Sequence, residues 1–263
     1  MSQMRQAGTG LELLVRTLAA GYSSGTVLDP HIHGWAQLVY ASAGVMTVQT
    51  ATGTWVVPSH RAVWIPAGIE HSIAMSGRVA MRSIYIEPTL SETLPQKCFV
   101  VAVTSLLREL ILHTVSKGML RADDPEQYRL AAFLLDQLHE LPTVPLELPV
   151  PRDQRALRVA LRLRTNPGDA ASVDELGRDA GASRRTLERL FQQETGMSFG
   201  RWRQQARLLE AMRLLAQGES VTTTALAVGY DTPSAFIAAF STALGTTPGR
   251  YYRQSGGDKR GSR

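Results

Sequence analysis

Between Asp174 and Pro248 the chain spells one helical-hairpin pattern twice, about 49 residues apart. The first copy reads SVDELGRDAGASRRTLERLFQQETGMSF and the second VTTTALAVGYDTPSAFIAAFSTALGTTP. Gly181 aligns with Gly229, Leu187 with Phe236, Phe191 with Phe240 and Gly196 with Gly245. In each copy a short helix (residues 173–180 and 221–228) runs into a turn glycine, and a second helix opens on a capping residue, Ser183 or Asp231. Two units are too few for a solenoid, which needs about three stacked repeats. A short turn that holds two helices at a steep angle instead suits a DNA reader: the second helix enters a major groove while the first braces on the backbone.

Residues 199–217, between the copies, form one uninterrupted helical pattern. Leu208, Ala211, Met212 and Leu215 fall on one side, with Phe199, Trp202, Ala206 and Leu209 beside or opposite them. That arc is wider than a one-sided surface stripe, so the helix is expected to be clamped between two bodies. It would fix the two recognition helices as a pair suited to major-groove segments about one turn (~34 Å) apart.

Residues 155–254 resemble the DNA-binding domain of the AraC/XylS family of bacterial transcription regulators. The resemblance is carried by Ala180-Gly181-Ala182-Ser183, Leu190-Phe191, Glu194-Thr195-Gly196, Ser198-Phe199, Gly229-Tyr230, Ser234-Ala235-Phe236, Phe240, Leu244-Gly245-Thr246-Thr247-Pro248 and Tyr251. It implies a sequence-specific promoter-binding activator or repressor, with RNA polymerase as a candidate partner. Charge supports this independently. Up to Pro149 there are 10 Lys and Arg against 12 Asp and Glu, and afterwards 18 against 11, so a net charge near +7 sits where phosphate binding requires it.

In the first recognition helix Arg184, Arg185, Thr186, Glu188, Arg189 and Gln192 are the polar candidates for DNA contact, with Leu187, Leu190 and Phe191 facing inward. Arg pairs with guanine edges and Gln with adenine, while Glu188 either accepts from cytosine or orients an Arg. The second helix offers Thr232, Ser234, Ala235, Ile237, Ala238, Ser241 and Thr242, without Arg, Lys, Asn or Gln. The first helix is therefore expected to supply most base specificity, and the second methyl contacts, phosphate contacts and shape fit. Arg201, Arg203 and Arg207 on the connector, and Arg250 and Arg253 after the second unit, are phosphate candidates or exposed helix-face charges.

The N-terminal part reads differently. Short runs rich in Val, Ile, Trp and Tyr recur between Gln37 and Glu87 (QLVY, VMTVQT, TWVV, AVWIP, HSIAM, SIYIE), which implies an antiparallel barrel or sandwich. Within that pattern fall Gly25-x5-His31-x-His33-x3-Gln37-x6-Gly44 and Pro66-x-Gly68-x2-His71. Both strings resemble the two motifs of the cupin superfamily, β-barrels whose mouth holds a metal or small ligand. The resemblance makes His31, His33, Gln37 and His71 candidate ligands for a divalent transition metal, although Gln37 and Met75 depart from the family pattern. A neutral amide is a weaker ligand than a carboxylate, yet three imidazoles still suit zinc, iron, nickel or copper. The alternative is that these four residues hydrogen-bond an organic effector or one another. Trp35, Gln37, Tyr40 and Trp64 are the candidate effector-binding residues, among strand aromatics that also include Trp55 and Tyr85.

The expected fold is thus α+β with two domains: a cupin-like barrel (1–95), amphipathic helices (96–141), a Pro-rich linker (142–154) and an all-α DNA-binding domain (155–254). The DNA-binding domain carries helix-turn-helix units at 173–195 and 221–244 joined by the connector, and a disordered tail follows at 255–263. Four prolines in residues 141–151 read as a semi-extended spacer. Phe99, Val103, Leu106, Leu107, Leu110 and Ile111, and then Leu130, Phe133, Leu134, Leu138 and Leu141, recur at helical spacing. Such stripes pack within their domain, and the family resemblance adds a homodimer. No apolar stretch reaches about 18 residues and no signal-peptide pattern opens the chain, so a cytoplasmic protein with no membrane partner is expected. The single cysteine, Cys98, reads as a packed residue. A metal-dependent cupin enzyme, a dioxygenase or isomerase fused to a DNA-binding domain, is the alternative from another class, but no general acid or base accompanies the histidines. A further alternative is a constitutive DNA-binding protein whose barrel serves only to dimerise. The combination of HxHxxxQ, PAGxxH, GYDTPSAF and LGTTPGRY is similar to a subgroup controlling neighbouring transporter genes, among them efflux systems for drugs such as nitroimidazoles.

Overall fold

A computed structural model describes residues 13–140, 143–144 and 146–255. Two sheets build the N-terminal domain. One has seven strands, in the order β10 (Leu120–Arg121), β1 (Leu13–Tyr22), β8 (Val79–Ile86), β3 (Ala36–Ala41), β6 (Arg61–Ile65), β9 (Phe99–Ala102) and β11 (Thr143–Val144). The other has five: β12 (Glu147–Pro149), β5 (Gly53–Pro58), β4 (Val45–Gln49), β7 (His71–Ser76) and β2 (Val27–His31). All recorded pairings are antiparallel. Between β8 and β9 lies α1 (Pro88–Ser91). Helices α2 (Ser105–Lys117) and α3 (Pro125–Glu140) complete the domain.

The two-residue period of the strands divides the core. Along β3, Val39 and Ala41 join the apolar layer shared with Met46, Val48, Trp55, Val57, Ile73 and Met75 of the facing sheet. Leu38 and Tyr40 point the other way, with Trp64 and Ile84, onto Leu107, Ile111 and Leu134 of α2 and α3. The helical stripe expected from Phe99 is interrupted here. Phe99–Ala102 is a strand paired with β6, and α2 begins only after Thr104, whose side chain accepts from Leu107 N–H. Cys98 is buried, and burial pushes its thiol up to about 12.

The semi-extended linker also joins both sheets. Thr143–Val144 pairs with β9 and Glu147–Pro149 with β5, so it closes one edge of each sheet. An edge strand tolerates proline, which lacks the ladder N–H. Residues 141, 142 and 145, and the expected tail from residue 256, lie outside the described residues.

Helices α4 (Gln154–Thr165), α5 (Val173–Ala180), α6 (Arg184–Thr195), α7 (Phe199–Ala216), α8 (Val221–Ala227), α9 (Pro233–Leu244) and α10 (Pro248–Ser255) form the C-terminal domain. The connector α7 is clamped as its broad apolar arc requires: it packs on α4, α6, α8 and α10, and also on β4, β5, β7 and β12. Trp202 is fully buried, and its Nε1 donates to the Pro149 carbonyl at 2.8 Å. One apolar cluster therefore runs from the five-stranded sheet into both helical hairpins. On the same side Tyr251 of α10 packs its ring edge against His60, 4.1 Å between centroids.

Burial holds His60 and His71 neutral, each with its pKa lowered to about 4, desolvation being the largest cause. Unfolded, an imidazole titrates near 6.5, so between about pH 4 and 6.5 the unfolded chain binds more protons than the folded one. Stability should therefore hold above pH 6.5, fall as pH drops through that window and level off near pH 4. Thermal unfolding from pH 7.5 to 4 checks this, and His60→Gln should flatten the slope; an unchanged slope in that variant would remove His60 from the account.

Candidate DNA interface and sensor site

Each helix-turn-helix unit is built from caps. In the first, the Ser172 and Glu175 side chains satisfy each other's backbone N–H groups, and Gly181 takes the left-handed conformation (φ 74°) that turns the chain toward Ser183, the cap of α6. A Cβ on Gly177 would come within 2.7 Å of the Ala182 carbonyl, so the close approach of the two helices requires glycine there. In the second unit Gly229 has φ 81°, and the cap of α9 is Thr232, whose side chain accepts from Ala235 N–H. Thr232, not Asp231, caps this helix because Pro233 supplies its first turn.

The two outward faces differ as their composition predicts. On α6, Arg184, Arg185, Glu188, Arg189 and Gln192 are exposed and Thr186 is half-buried at the cap. Arg184 is engaged with Glu188 (2.9 Å) and Asp174 (3.8 Å), and Arg189 donates to Gln193. Arg185 makes no such bond within the chain among the described residues, which leaves its guanidinium free for an external acceptor. On α9, Ser234, Ala235, Ala238 and Thr242 are exposed. Ile237 packs on the core, the Ser241 hydroxyl is shielded, and the Thr232 hydroxyl is used in capping. This face is therefore poorer in donors than its sequence suggests.

The connector cations split in the same way. Arg201 is exposed. Arg203 donates to the Ala171 and Asp169 carbonyls, and Arg207 donates to Pro167 while its guanidinium lies 5.8 Å from the centre of the Tyr230 ring. Both brace the fold internally, Arg207 through its Nε. Arg250 is exposed, and the side chain of Arg253 lies outside the described residues.

At the mouth of the barrel the motif residues converge. His31 and His71 are direct cross-strand partners on β2 and β7, and one ligand nitrogen from each of His31, His33 and His71 lies within 4.8 Å of the others. Each Nδ1 rests against a backbone carbonyl: Asp29 for His31 (2.8 Å), Trp35 for His33 (2.6 Å) and Ile69 for His71 (2.9 Å). A carbonyl only accepts, so Nδ1 carries a proton, and in the neutral form of such a ring the lone pair lies on Nε2. Gln37 is buried between them. Its Oε1 lies 3.1 Å from both His33 Nε2 and His71 Nε2, and its Nε2 donates to Ser83 Oγ at 3.0 Å.

An amide oxygen facing two imidazole lone pairs is a contact between acceptors, and a cation at their centre relieves it. With the amide turned over, its NH2 group donates to both imidazoles and Ser83 donates to its oxygen. Gln37 can thus serve either an occupied or an empty site. Three converging imidazole nitrogens and an amide oxygen fit zinc or another divalent transition metal of intermediate softness.

The remaining sensor candidates divide by strand parity. Trp35 stands at the mouth, with the Arg16 guanidinium 4.3 Å from the centre of its ring. Tyr40 and Trp64 do not line the mouth: both are buried against α2 and α3, and Trp64 donates to the Pro95 carbonyl. Gln37 and Tyr40 are three residues apart on one strand and so face opposite ways. Three residues fill the mouth that the motifs did not single out for it. Tyr85 pairs with Gln37 across β3 and β8 and sets its ring 5.2 Å from His33, Arg16 pairs with Tyr85, and Ser83 orients Gln37. Glu70 is exposed, away from the cluster.

Comparison with known proteins agrees with this architecture. The family model described as "AraC-like ligand binding domain" matches residues 14–193, and that described as "Helix-turn-helix domain" matches residues 176–254. The chain belongs to the AraC family of transcription regulators. This regulator is 35% identical over 221 residues to the HTH-type transcriptional regulator NimR of Escherichia coli, covering 84% of this chain and 81% of that one. It is 40% identical over 111 residues to the regulator RipA of Corynebacterium glutamicum, covering 42% of this chain and 32% of that one. Among solved structures, ToxT of Vibrio cholerae matches with a TM-score of 0.40 and 11% identity, over 92% of this chain and 98% of that one. The regulator is a helix-turn-helix transcription factor with a ligand-binding N-terminal domain. No helix among the described residues is long and apolar enough to cross a membrane.

Proposed function

We propose that this regulator binds promoter DNA chiefly through α6, with α9 holding register, under the control of a divalent transition metal at the barrel mouth. The observation that carries the sensor half is the convergence of His31, His33 and His71 on one point with Gln37 Oε1 among them. A bound metal would supply a Lewis-acidic centre for a donor atom of an effector, beside Trp35, Arg16 and Tyr85. The chain's own residues set the site: backbone carbonyls fix the imidazole tautomers, Ser83 orients the amide, and the aromatic rings restrict water. The site acts by binding, not turnover, in a cytoplasmic protein.

The DNA half rests on Arg185. Arg185→Ala should weaken operator binding by about ten- to a hundred-fold and relax base preference at one position, the loss of one good bidentate base contact. Ala238→Ser should change neither by more than about two-fold. Binding measured across single-base operator variants decides it, and the assignment of the two helices is wrong if Ala238→Ser alters base preference more.

Leu106, Tyr128 and Phe133 are exposed on α2 and α3, an apolar surface outside their own core. It supports pairing of two copies through these helices, with RNA polymerase contacted by the DNA-bound dimer. Sedimentation at micromolar concentration should show the dimer; a monomer both alone and on DNA would refute it.

A further inference from the structure

Between the five-stranded sheet and the DNA-binding domain lies a solvent-open cleft of about 150 Å³, apart from both the recognition helices and the histidine cluster. One wall is the outward face of the sheet, with Thr47, Gln49 and Thr54. The other is helical, with Arg164 from α4 and Glu210 and Arg213 from α7. We propose that this cleft binds a small oxyanion, of the carboxylate or phosphate class, held by Arg164 from one domain and the Thr47 hydroxyl from the other.

Charge selects the sign of the ligand. Arg213 neutralises Glu210 through two bonds, Nε to Oε2 at 2.8 Å and Nη2 to Oε1 at 2.6 Å. Arg164 is half-buried and makes no hydrogen bond or ion pair among the described residues, and burial alone lowers its pKa. The lining is left with one uncompensated positive charge. Withdrawing a guanidinium from water without a counter-charge is unfavourable, and an anion in the cleft reverses that cost. On the facing wall Thr47 Oγ1 is shielded from solvent without a partner, a donor with no acceptor. Water in the cleft would leave the cation uncompensated.

Volume selects the size. Drug-sized ligands occupy about 300–1,000 Å³, so this cleft suits phosphate, acetate or a short-chain carboxylate. Because its walls belong to different domains, an occupant adds contacts only to the docked arrangement and favours it over any other.

The test uses full-length protein in zwitterionic buffer, titrated with inorganic phosphate or sodium acetate and followed by calorimetry and thermal unfolding, with sodium chloride of equal ionic strength as control. A saturable rise in Tm with phosphate or with acetate, absent with chloride, is expected, and the responding arm identifies the class. Arg164→Gln should weaken binding about ten-fold or more, the loss of a charge-assisted contact, and Thr47→Val several-fold. The exposed control Arg129→Gln should bind as the parent does. His33→Ala should also respond in full, which separates this site from the barrel mouth. Where Arg164→Gln does not fold, Thr47→Val alone decides. No saturable response to either anion, or parental affinity in Arg164→Gln or, failing that, in Thr47→Val, overturns the proposal.

Discussion

Trp202→Ala should destabilise the protein by about 3–5 kcal/mol, the range for removing a fully buried indole from a packed core. The side chain is completely buried, meets Phe191 edge-on at 5.2 Å, and donates to Pro149 at the end of β12. Alanine leaves a cavity where α6, α7 and the linker strand meet, and it strands the Pro149 carbonyl without its donor. Phe191 carries the inward face of α6, so the first recognition helix should loosen along with the contact between domains. Leu226→Ala, at a position 58% exposed, should stay within about 0.5 kcal/mol. Denaturant unfolding of the two variants checks the contrast. A loss below about 1 kcal/mol for Trp202→Ala would mean that α7 is not the element joining the domains.

His71→Ala should abolish metal retention. His71 is the most buried of the three histidines, and its ring centroid lies 4.4 Å from that of His31 and 5.1 Å from that of His33. Changes to the groups that merely orient metal ligands cost about 10–100-fold in affinity, so deleting a ligand should cost about 100-fold or more. Glu70→Ala, one residue away on the exposed side, should retain the metal as the parent does. Competitive titration against a chromophoric chelator measures both. Equal affinity in His71→Ala and the parent would remove His71 from the ligand set.

Much of this was legible in the chain because its signals are periodic or punctuated. The duplicated hairpins appear where the glycines and buried aromatics place them, and the connector's broad apolar arc is explained by two partners, the helical hairpins and the sheet. The three histidines meet although His71 lies some forty residues from His31, since two strand motifs of fixed spacing bring them to neighbouring strands. What was hidden depends on pairing between distant strands. Tyr40 and Trp64 looked like cavity aromatics, and only the register of β3 against β6 shows that both face the helices. Phe99 fits the helical spacing of Leu106 and Leu110 by coincidence; the Thr104 cap separates strand from helix. The linker's prolines mark a semi-extended spacer, and its edge-strand role appears only once the sheet it joins is known. Arg207 could not be assigned to Pro167 and Tyr230 without the fold that brings them together.

The most direct test of the central claim is operator affinity measured by fluorescence anisotropy on dialysed and metal-reconstituted protein, with metal counted on the same samples by elemental mass spectrometry. About one equivalent of transition metal per chain is expected, with a several-fold change in operator affinity on loading that His33→Ala abolishes. Substoichiometric metal after reconstitution, with DNA binding indifferent to His33→Ala, would contradict it.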